Sequence, residues 1–321
     1  MKMPVRFGRV LWMSVLLACL LLLPAGCGKD EPGGMDERPG TIDLISNQPQ
    51  SSVTAFYGAA DSDMLTPLSF AINSSRDTIW IALEKLLAGP PDSFVDAVVP
   101  QGLKLKALYF ENGVINIGLT GDGELRLEDI DLQAVAVTVN VELRKQENTT
   151  APVMLSYNDQ PLLSQPYEVQ PFNDMSKGSG EYVYYSDSQA MYVVPVCVDV
   201  PGNDKMTDEQ RLTAALEKWA GAPPKNSGVY SALPVGVVLN DIQIAGRTVT
   251  LDFSEELLQM GGTAQEQVFF DSLLATLRSY PVDTVQLLVE GAAAEFLSHG
   301  TDISVPIAVS HDFTSVNRVV Q

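Results

Sequence analysis

The chain contains two copies of one sequence unit, and this repeat constrains the fold more than any other feature. The tetrapeptide Ala-Leu-Glu-Lys at residues 82–85 returns at residues 215–218, and each copy runs into a pair of prolines. The other matched pairs are Phe56-Tyr57 with Tyr184-Tyr185, and residues 114–119 with residues 248–253. Because these matches keep one order, the chain is interpreted as a duplication of a unit of about 110 to 120 residues.

Sequence patterns predict the same elements twice, in the order strand, strand, helix, strand, strand, helix, strand. Alternating runs predict the strands, and apolar residues at helical spacing ahead of each proline pair predict the first helix. Asn112-Gly113 predicts a tight hairpin turn. Thr207 with Gln210, and Thr263 with Glu266, predict capping boxes at the starts of the two helices of the second unit. The predicted strands include residues 53–57, 67–72, 103–110, 114–119, 182–185, 191–200, 237–244 and 285–289.

One segment of the first unit gives conflicting signals. Valines at positions 135, 137, 139 and 141, followed by Leu143, alternate with period two, which locally favours a strand over residues 131–143. The repeat and the acidic pair Glu128-Asp129 favour a helix there. We predict a helix and leave the strand as the alternative.

The repeated element order predicts an α+β fold made of two tandem β-β-α-β-β-α-β sandwiches, each a small sheet with two helices on one face. The predicted organisation is a signal peptide at 1–26, a flexible tether at 27–50, a first domain at 51–165, a linker at 166–180, a second domain at 181–310 and a tail at 311–321.

The N-terminus has the pattern of a secretory signal peptide. Three basic residues precede fourteen uncharged residues at 10–23, which is shorter than the about 20 apolar residues of a membrane-spanning helix. Ala25-Gly26 before Cys27 resembles a bacterial lipobox, although Pro24 stands where the usual leucine would be. The pattern predicts cleavage after residue 26 and acylation of Cys27, which would attach an extracytoplasmic protein to the membrane. Ordinary cleavage with Cys27 as a bystander is the alternative.

Charge and cysteine content restrict the possible partners and chemistry. The chain has 20 Lys and Arg against 40 Asp and Glu, and without residues 1–26 it would have 17 against 40, a net charge of −23. Such an acidic chain is not expected to bind nucleic acid, because binding to the phosphate backbone requires a surplus of Lys and Arg. Cys19 would leave with the signal peptide, so Cys197 would be the only free thiol, and its strand-like surroundings favour an inert core position over a reactive one.

Candidate chemical groups are few, and each has a plain structural alternative. The sequence contains none of the common nucleophile, zinc, phosphate or dinucleotide motifs, so we predict no catalytic, cofactor or metal residues. Acidic turns could bind Ca²⁺ but lack a complete calcium loop. Glu255-Glu256 is read as a polar helix start, the two histidines as surface or tail positions, and the tyrosines as half-buried sheet packing in preference to a carbohydrate or peptide platform. These candidates are Asp61, Asp63, Asp122, Glu124, Asp129, Asp131, Glu255, Glu256, His299, His311, Tyr182, Tyr184, Tyr185 and Tyr192.

Four short motifs resemble the GerMN domain of the sporulation and spore germination family. They are Leu-Leu-Ala-Gly-Pro at 86–90, Leu-Pro-x-Gly at 233–236, Val-x-Leu-Asp-Phe-Ser at 249–254 and Val-x-x-Leu-Val-Glu-Gly at 285–291. The resemblance implies a fold similar to the ring-building motifs of secretion machinery, and an extracytoplasmic scaffold in the envelope between mother cell and forespore. The resemblance implies no catalytic residues. Gly118 stands where the second unit has Asp252, so Asp252 is not a residue that both units need.

Two functions follow as hypotheses. The first is a non-enzymatic, lipid-anchored assembly protein that contacts cell-envelope or sporulation proteins. The second is an envelope lipoprotein that binds a cell-wall fragment or a cation in a groove between the two domains.

Overall fold

Each repeat unit divides its strands between two sheets that pack with two helices. The structure is a computed structural model and describes residues 52–72 and 77–309. The first unit contains β1 (Ser52–Ala59), β2 (Leu65–Ala71), α1 (Thr78–Ala88), β3 (Val95–Asp96), β4 (Lys104–Glu111), β5 (Val114–Thr120), α2 (Asp129–Glu147), β6 (Val153–Tyr157) and β7 (Gln160–Pro161). The second contains β8 (Gly180–Ser186), β9 (Val193–Asp199), α3 (Asp208–Ala220), β10 (Leu239–Ala245), β11 (Thr248–Phe253), α4 (Thr263–Arg278), β12 (Thr284–Val289) and β13 (Ile307–Ala308).

The strand order confirms the α+β class and the tandem repeat, and it adds a second sheet to each unit. The first unit has sheets β2-β1-β3 and β4-β5-β6-β7; the second has β8-β9 and β10-β11-β12-β13. In each unit one pair is parallel, β5 with β6 and β11 with β12, and the long helix α2 or α4 makes the crossover between its strands. The first helix of each unit contacts both sheets: α1 packs on β1 and β4, and α3 packs on β8 and β10. Among the described helices, none is long and apolar enough to cross a membrane.

Residues 131–143 form a helix, as the repeat predicts. Helix α2 is buried at every position from 134 to 140, so it has no polar face that would show a helical period. Val135 and Val139 pack in the main core of the first unit, whereas Val137 packs in a separate cluster with Phe56 and Leu65. Burial on several sides therefore produces the run of valines that imitates a strand.

Helices α2 and α4 cover the edge of the first strand in their units. The hydroxyl of Thr138 accepts the backbone N–H of Phe56, and the hydroxyl of Thr276 accepts that of Tyr184, both at 3.1 Å. The Glu142 carboxylate also accepts the N–H of Thr54 at 2.8 Å. These side chains satisfy buried strand groups that have no partner strand there.

The two first-strand hairpins join the repeat units. Met64, next to the β1–β2 turn, packs in the hydrophobic core of the second unit, and Tyr192, next to the β8–β9 turn, packs in that of the first. The hydroxyl of Thr66 donates to the carbonyl of Val193 at 2.8 Å. Both repeat units lie within one compact body.

Asn173, between the two units in sequence, is bonded to both. Its side chain accepts the N–H of Leu65 and donates to the carbonyls of Leu65 and Pro195, at distances of 2.8, 2.7 and 2.6 Å. One amide thus connects β2 of the first unit with β9 of the second. Phe172 beside it packs between the rings of Phe56 and Tyr182.

Candidate functional site

Several predicted positions lie outside the described residues. These are the lipidation site Cys27, the signal peptide, the tether and His311. The lipid anchor therefore stays a prediction from the sequence.

The acidic turns have structural roles or lie on the surface. Asp61 accepts a hydrogen bond from the hydroxyl of Ser188 at 2.7 Å, which links the β1–β2 turn to the second unit. Asp131 accepts the N–H of Glu128 at 2.7 Å and so caps the start of α2. Within residues 52–72 and 77–309, no group of three or more His, Cys, Asp or Glu side chains is placed to hold a metal ion.

Glu255 and Glu256 begin a short 3₁₀ helix at Glu255–Gln259, in agreement with the polar helix start. Both side chains are exposed. A hydrogen bond from Ser254 lowers the pKa of Glu256. The pair therefore places two carboxylates on the surface.

The predicted capping box of Thr263 and Glu266 is wrong. Thr263 is already the first residue of α4, and Gly262 precedes it without a side-chain cap. Glu266 is fully buried, and its carboxylate accepts hydrogen bonds from the hydroxyl of Thr301 and the N–H of His299. The signal was ambiguous because an acidic residue in a first helical turn fits a cap as well as a tertiary contact.

His299 is not a free surface residue. Its Nδ1 lies 3.1 Å from the Glu266 carboxylate, with Ser298 also hydrogen-bonded to Glu266. Together these residues attach the segment after β12 to the N-terminal turn of α4. The cluster contains one histidine and one carboxylate, and the hydrogen bonds to Glu266 hold the loop.

The tyrosines of the second unit are packed, as the sheet interpretation predicts. Tyr185 is buried and donates to the carbonyl of Lys218 at 3.0 Å, and its repeat equivalent Tyr57 donates to the carbonyl of Lys85 at 2.8 Å. Tyr182 donates to the carbonyl of Phe172 at 2.9 Å. The hydroxyls of these tyrosines are thus used in internal hydrogen bonds, and the half-buried Tyr182 keeps part of its ring at the surface.

Cys197 is a buried thiol on β9. Burial raises its pKa to about 11, with the nearby Asp174 carboxylate acting in the same direction. Because the thiolate is the reactive form, this position matches the inert core thiol that the sequence favours.

Each four-stranded sheet has a long outer strand that no other strand of residues 52–72 and 77–309 pairs with on its outer side. Strands β4 and β10 each stand at the end of a four-stranded sheet, and each carries a register shift near its start, between Leu105 and Ala107 and between Leu239 and Asp241. Such irregularities bend an edge and limit indiscriminate pairing. On β4, Tyr109 and Phe110 are exposed by 54% and 60%.

The outer face of the first unit's long sheet contains a groove of about 390 Å³. Its floor includes Ala107, Gly118 and Ser156, which are neighbours across three strands. A Cβ on Gly118 would lie 3.0 Å from that of Ala107, so the close approach favours glycine. In the second unit Asp252 takes this position and accepts the N–H of Gly291 at 2.7 Å, which explains why the two copies differ there.

A second groove of about 310 Å³ lies where the first unit meets the segment that leads to β8. Val137 and Val141 of α2 form one wall, Phe172 and Tyr182 the other. Arg144 is exposed at its rim. The groove is mainly apolar, with Asn140, Thr150 and Gln170 as its uncharged polar residues and Arg144 as its one charged residue.

Residues 182–295, nearly the whole second unit, match the family model Germane, described as sporulation and spore germination. The structure of the tandem GerMN domains of the sporulation protein GerM from Bacillus subtilis aligns with a TM-score of 0.53 at 19% identity, over 81% of this chain and 98% of that one. The chain has the tandem GerMN fold. The first GerMN domain of the same protein, solved alone, aligns at 24% identity over 40% of this chain and 96% of that one, with a TM-score of 0.33. No curated protein matches the chain.

The tandem GerMN fold confirms the resemblance read from the four motifs. Three of those motifs lie in the second unit, where the family model matches. The likeness of the first unit to the second is seen in the structure, because its helices and long strands follow the same order.

Proposed function

We propose that this GerMN chain is a lipid-anchored, extracytoplasmic assembly protein that acts in sporulation or spore germination through protein–protein contacts and without catalysis. The observation that carries the proposal is the joining of two units into one body while β4 and β10 remain open. A body of this kind holds two binding edges at a fixed separation. Strand addition at an open edge is a common mode of protein recognition.

The lipid anchor supports this function by confining the protein to the membrane surface. The acidic chain obtains no electrostatic attraction to anionic lipids, so acyl chains on Cys27 would supply the attachment. Each buried methylene contributes about 0.8 kcal/mol. Mass spectrometry of the mature protein tests this step: an acylated N-terminus at Cys27 is expected, and the Cys27→Ala variant should leave the membrane fraction. An unmodified Cys27 in a secreted protein would reject the anchor.

The assembly function is tested in the producing organism. Deletion of the gene should reduce the yield of heat-resistant or germinating spores, and affinity purification from sporulating cells should enrich envelope proteins over an unrelated lipoprotein used as control. Wild-type spore formation and germination together with no enriched partner would reject the function.

A second candidate is capture of a cell-wall fragment or a cation in a groove between the domains. The groove with Arg144 favours an anionic wall fragment, because a guanidinium pairs with carboxylates and the valines accept apolar groups. Binding of soluble muropeptides to the purified chain, lost in Arg144→Gln, is expected. A Lys177→Gln variant, which changes an exposed cation outside the groove, is the control. Absence of saturable binding would reject this candidate.

A further inference from the structure

Two valines of the second unit expose more than half of their side chains to solvent. They are Val235, which is fully exposed, and Val238, which is 55% exposed, in the loop that enters β10. Their neighbours Leu233 and Val237 are buried and hold the loop to the core. A large apolar side chain in full contact with water contributes nothing to the folded state.

The first unit provides an internal control for these positions. Residues 99–104 form the same turn as residues 233–238, with Gly102 and Gly236 both at positive φ, and five of the six positions have the same burial class. Gln101 and Lys104 stand where the second unit has Val235 and Val238. The loop therefore folds with polar residues at both places. The fold does not require valine there.

Acidic groups surround the exposed valines. A groove of about 580 Å³ runs from Val238 between the end of α3 and β10, and Glu217 and Asp241 line it. No lysine or arginine is among its lining residues. The side chain of Glu256 lies beside Gly236, on the loop between the two valines. The surface thus brings two exposed valines together with three carboxylates, Glu217, Asp241 and Glu256.

Strand β10 forms one wall of this groove and is the outer strand of its sheet. Among the described strands only β11 pairs with it, so the outward backbone groups of β10 can accept a further strand. Side chains of such a strand would alternate between the groove and solvent.

From this geometry we propose that the Val235–Val238 loop and β10 bind an extended, basic segment of a partner protein. The segment pairs with β10, places an apolar side chain against Val235 and Val238, and sets Lys or Arg beside Glu217, Asp241 and Glu256. An anionic lipid surface does not fit, because the rim carboxylates repel it. The inference names the surface for the proposed assembly function and rests on that function for its biological meaning, although the binding itself is independent of it.

The experiment titrates the purified mature chain with a nonapeptide of alternating lysine and valine, with backbone amide resonances as the readout. Shifts confined to β10 and residues 233–238 are expected. The double variant Val235→Gln/Val238→Gln should weaken binding at least about ten-fold, whereas Gln101→Ala/Lys104→Ala at the equivalent positions should leave it unchanged. The variant Glu217→Gln/Asp241→Asn should also weaken binding and reduce its dependence on salt.

Three results would overturn the inference. They are equal binding of a lysine–serine peptide, shifts spread over the whole acidic surface, and unchanged affinity of the glutamine variant when its melting temperature shows that it is folded. In cells, full complementation of a sporulation defect by the glutamine variant would reject this surface and leave the assembly function standing. A deletion strain without any defect would instead reject the assembly function.

Discussion

Met64 and Tyr192 are equivalent positions of the two repeats, and each packs in the hydrophobic core of the opposite unit. Each is the residue directly before the second strand of its hairpin. The units therefore exchange equivalent side chains across a pseudo-symmetric contact. The hydroxyl of Tyr192 also donates to the carboxylate of Asp92 in the first unit. Neither unit has a complete core without the other.

Replacing Tyr192 should destabilise the first unit although the residue belongs to the second. Loss of a buried aromatic side chain typically costs about 3 to 5 kcal/mol. Tyr192→Ala is expected to lower the free energy of unfolding by this amount, measured by chemical denaturation. Tyr192→Phe, which keeps the ring and loses the bond to Asp92, should cost about 1 kcal/mol. Tyr230→Ala, at a side chain that is 57% exposed, is the control and should have little effect.

The paired threonines of α2 and α4 should contribute equally in the two units. Thr138→Val and Thr276→Val leave the N–H groups of Phe56 and Tyr184 buried without an acceptor, at a cost of about 1 to 3 kcal/mol each. Serine at either position keeps the hydroxyl and should recover most of the stability. Thermal unfolding of the four variants measures this, and valine variants as stable as serine variants would contradict it.

The helices and long strands were predicted well from the sequence, because each of them occurs in both repeat units and could be compared between the two. Helix α2 was recognisable through its counterpart α4 and the acidic pair at its start, since burial on several sides removed its own helical period. The contact of Met64 and Tyr192 could not be read from the chain, because alternation shows that a residue is buried and not which core buries it. Glu266 was misread for a similar reason: its partners Thr301 and His299 are more than 30 positions away.

Glu266 should be essential for attaching the segment after β12. Glu266→Ala leaves the hydroxyl of Thr301 and the N–H of His299 without their acceptor, and we expect a loss of about 2 to 4 kcal/mol. Proteolysis between residues 291 and 302 should become faster, because the segment loses its hold on α4. Glu255→Ala, an exposed carboxylate close in sequence, should change neither quantity. Equal proteolysis of both variants would show that Glu266 has no such role.

Stability should fall steeply in alkaline solution. Burial raises the pKa of Tyr57 and Tyr185 well above the ordinary value of about 10, and both hydroxyls donate to backbone carbonyls. Above pH 10 the unfolded chain loses these protons while the folded chain keeps them, so deprotonation favours unfolding. Each group can remove up to about 1.4 kcal/mol per pH unit. Melting temperatures between pH 8 and 11 test this, with Tyr57→Phe and Tyr185→Phe expected to reduce the slope.

The thiol of Cys197 should be protected while the protein is folded. With its pKa raised to about 11, the group is almost entirely protonated at pH 8, and β9 is buried against the core. A mature chain with Cys27→Ser should react with a thiol reagent at pH 8 only as fast as it unfolds, and at the rate of a free cysteine in denaturant. Because Tyr192→Ala lowers stability, it should accelerate the labelling of Cys197 in proportion to the unfolded population. Fast labelling of the folded wild type would show that the thiol is accessible and reactive.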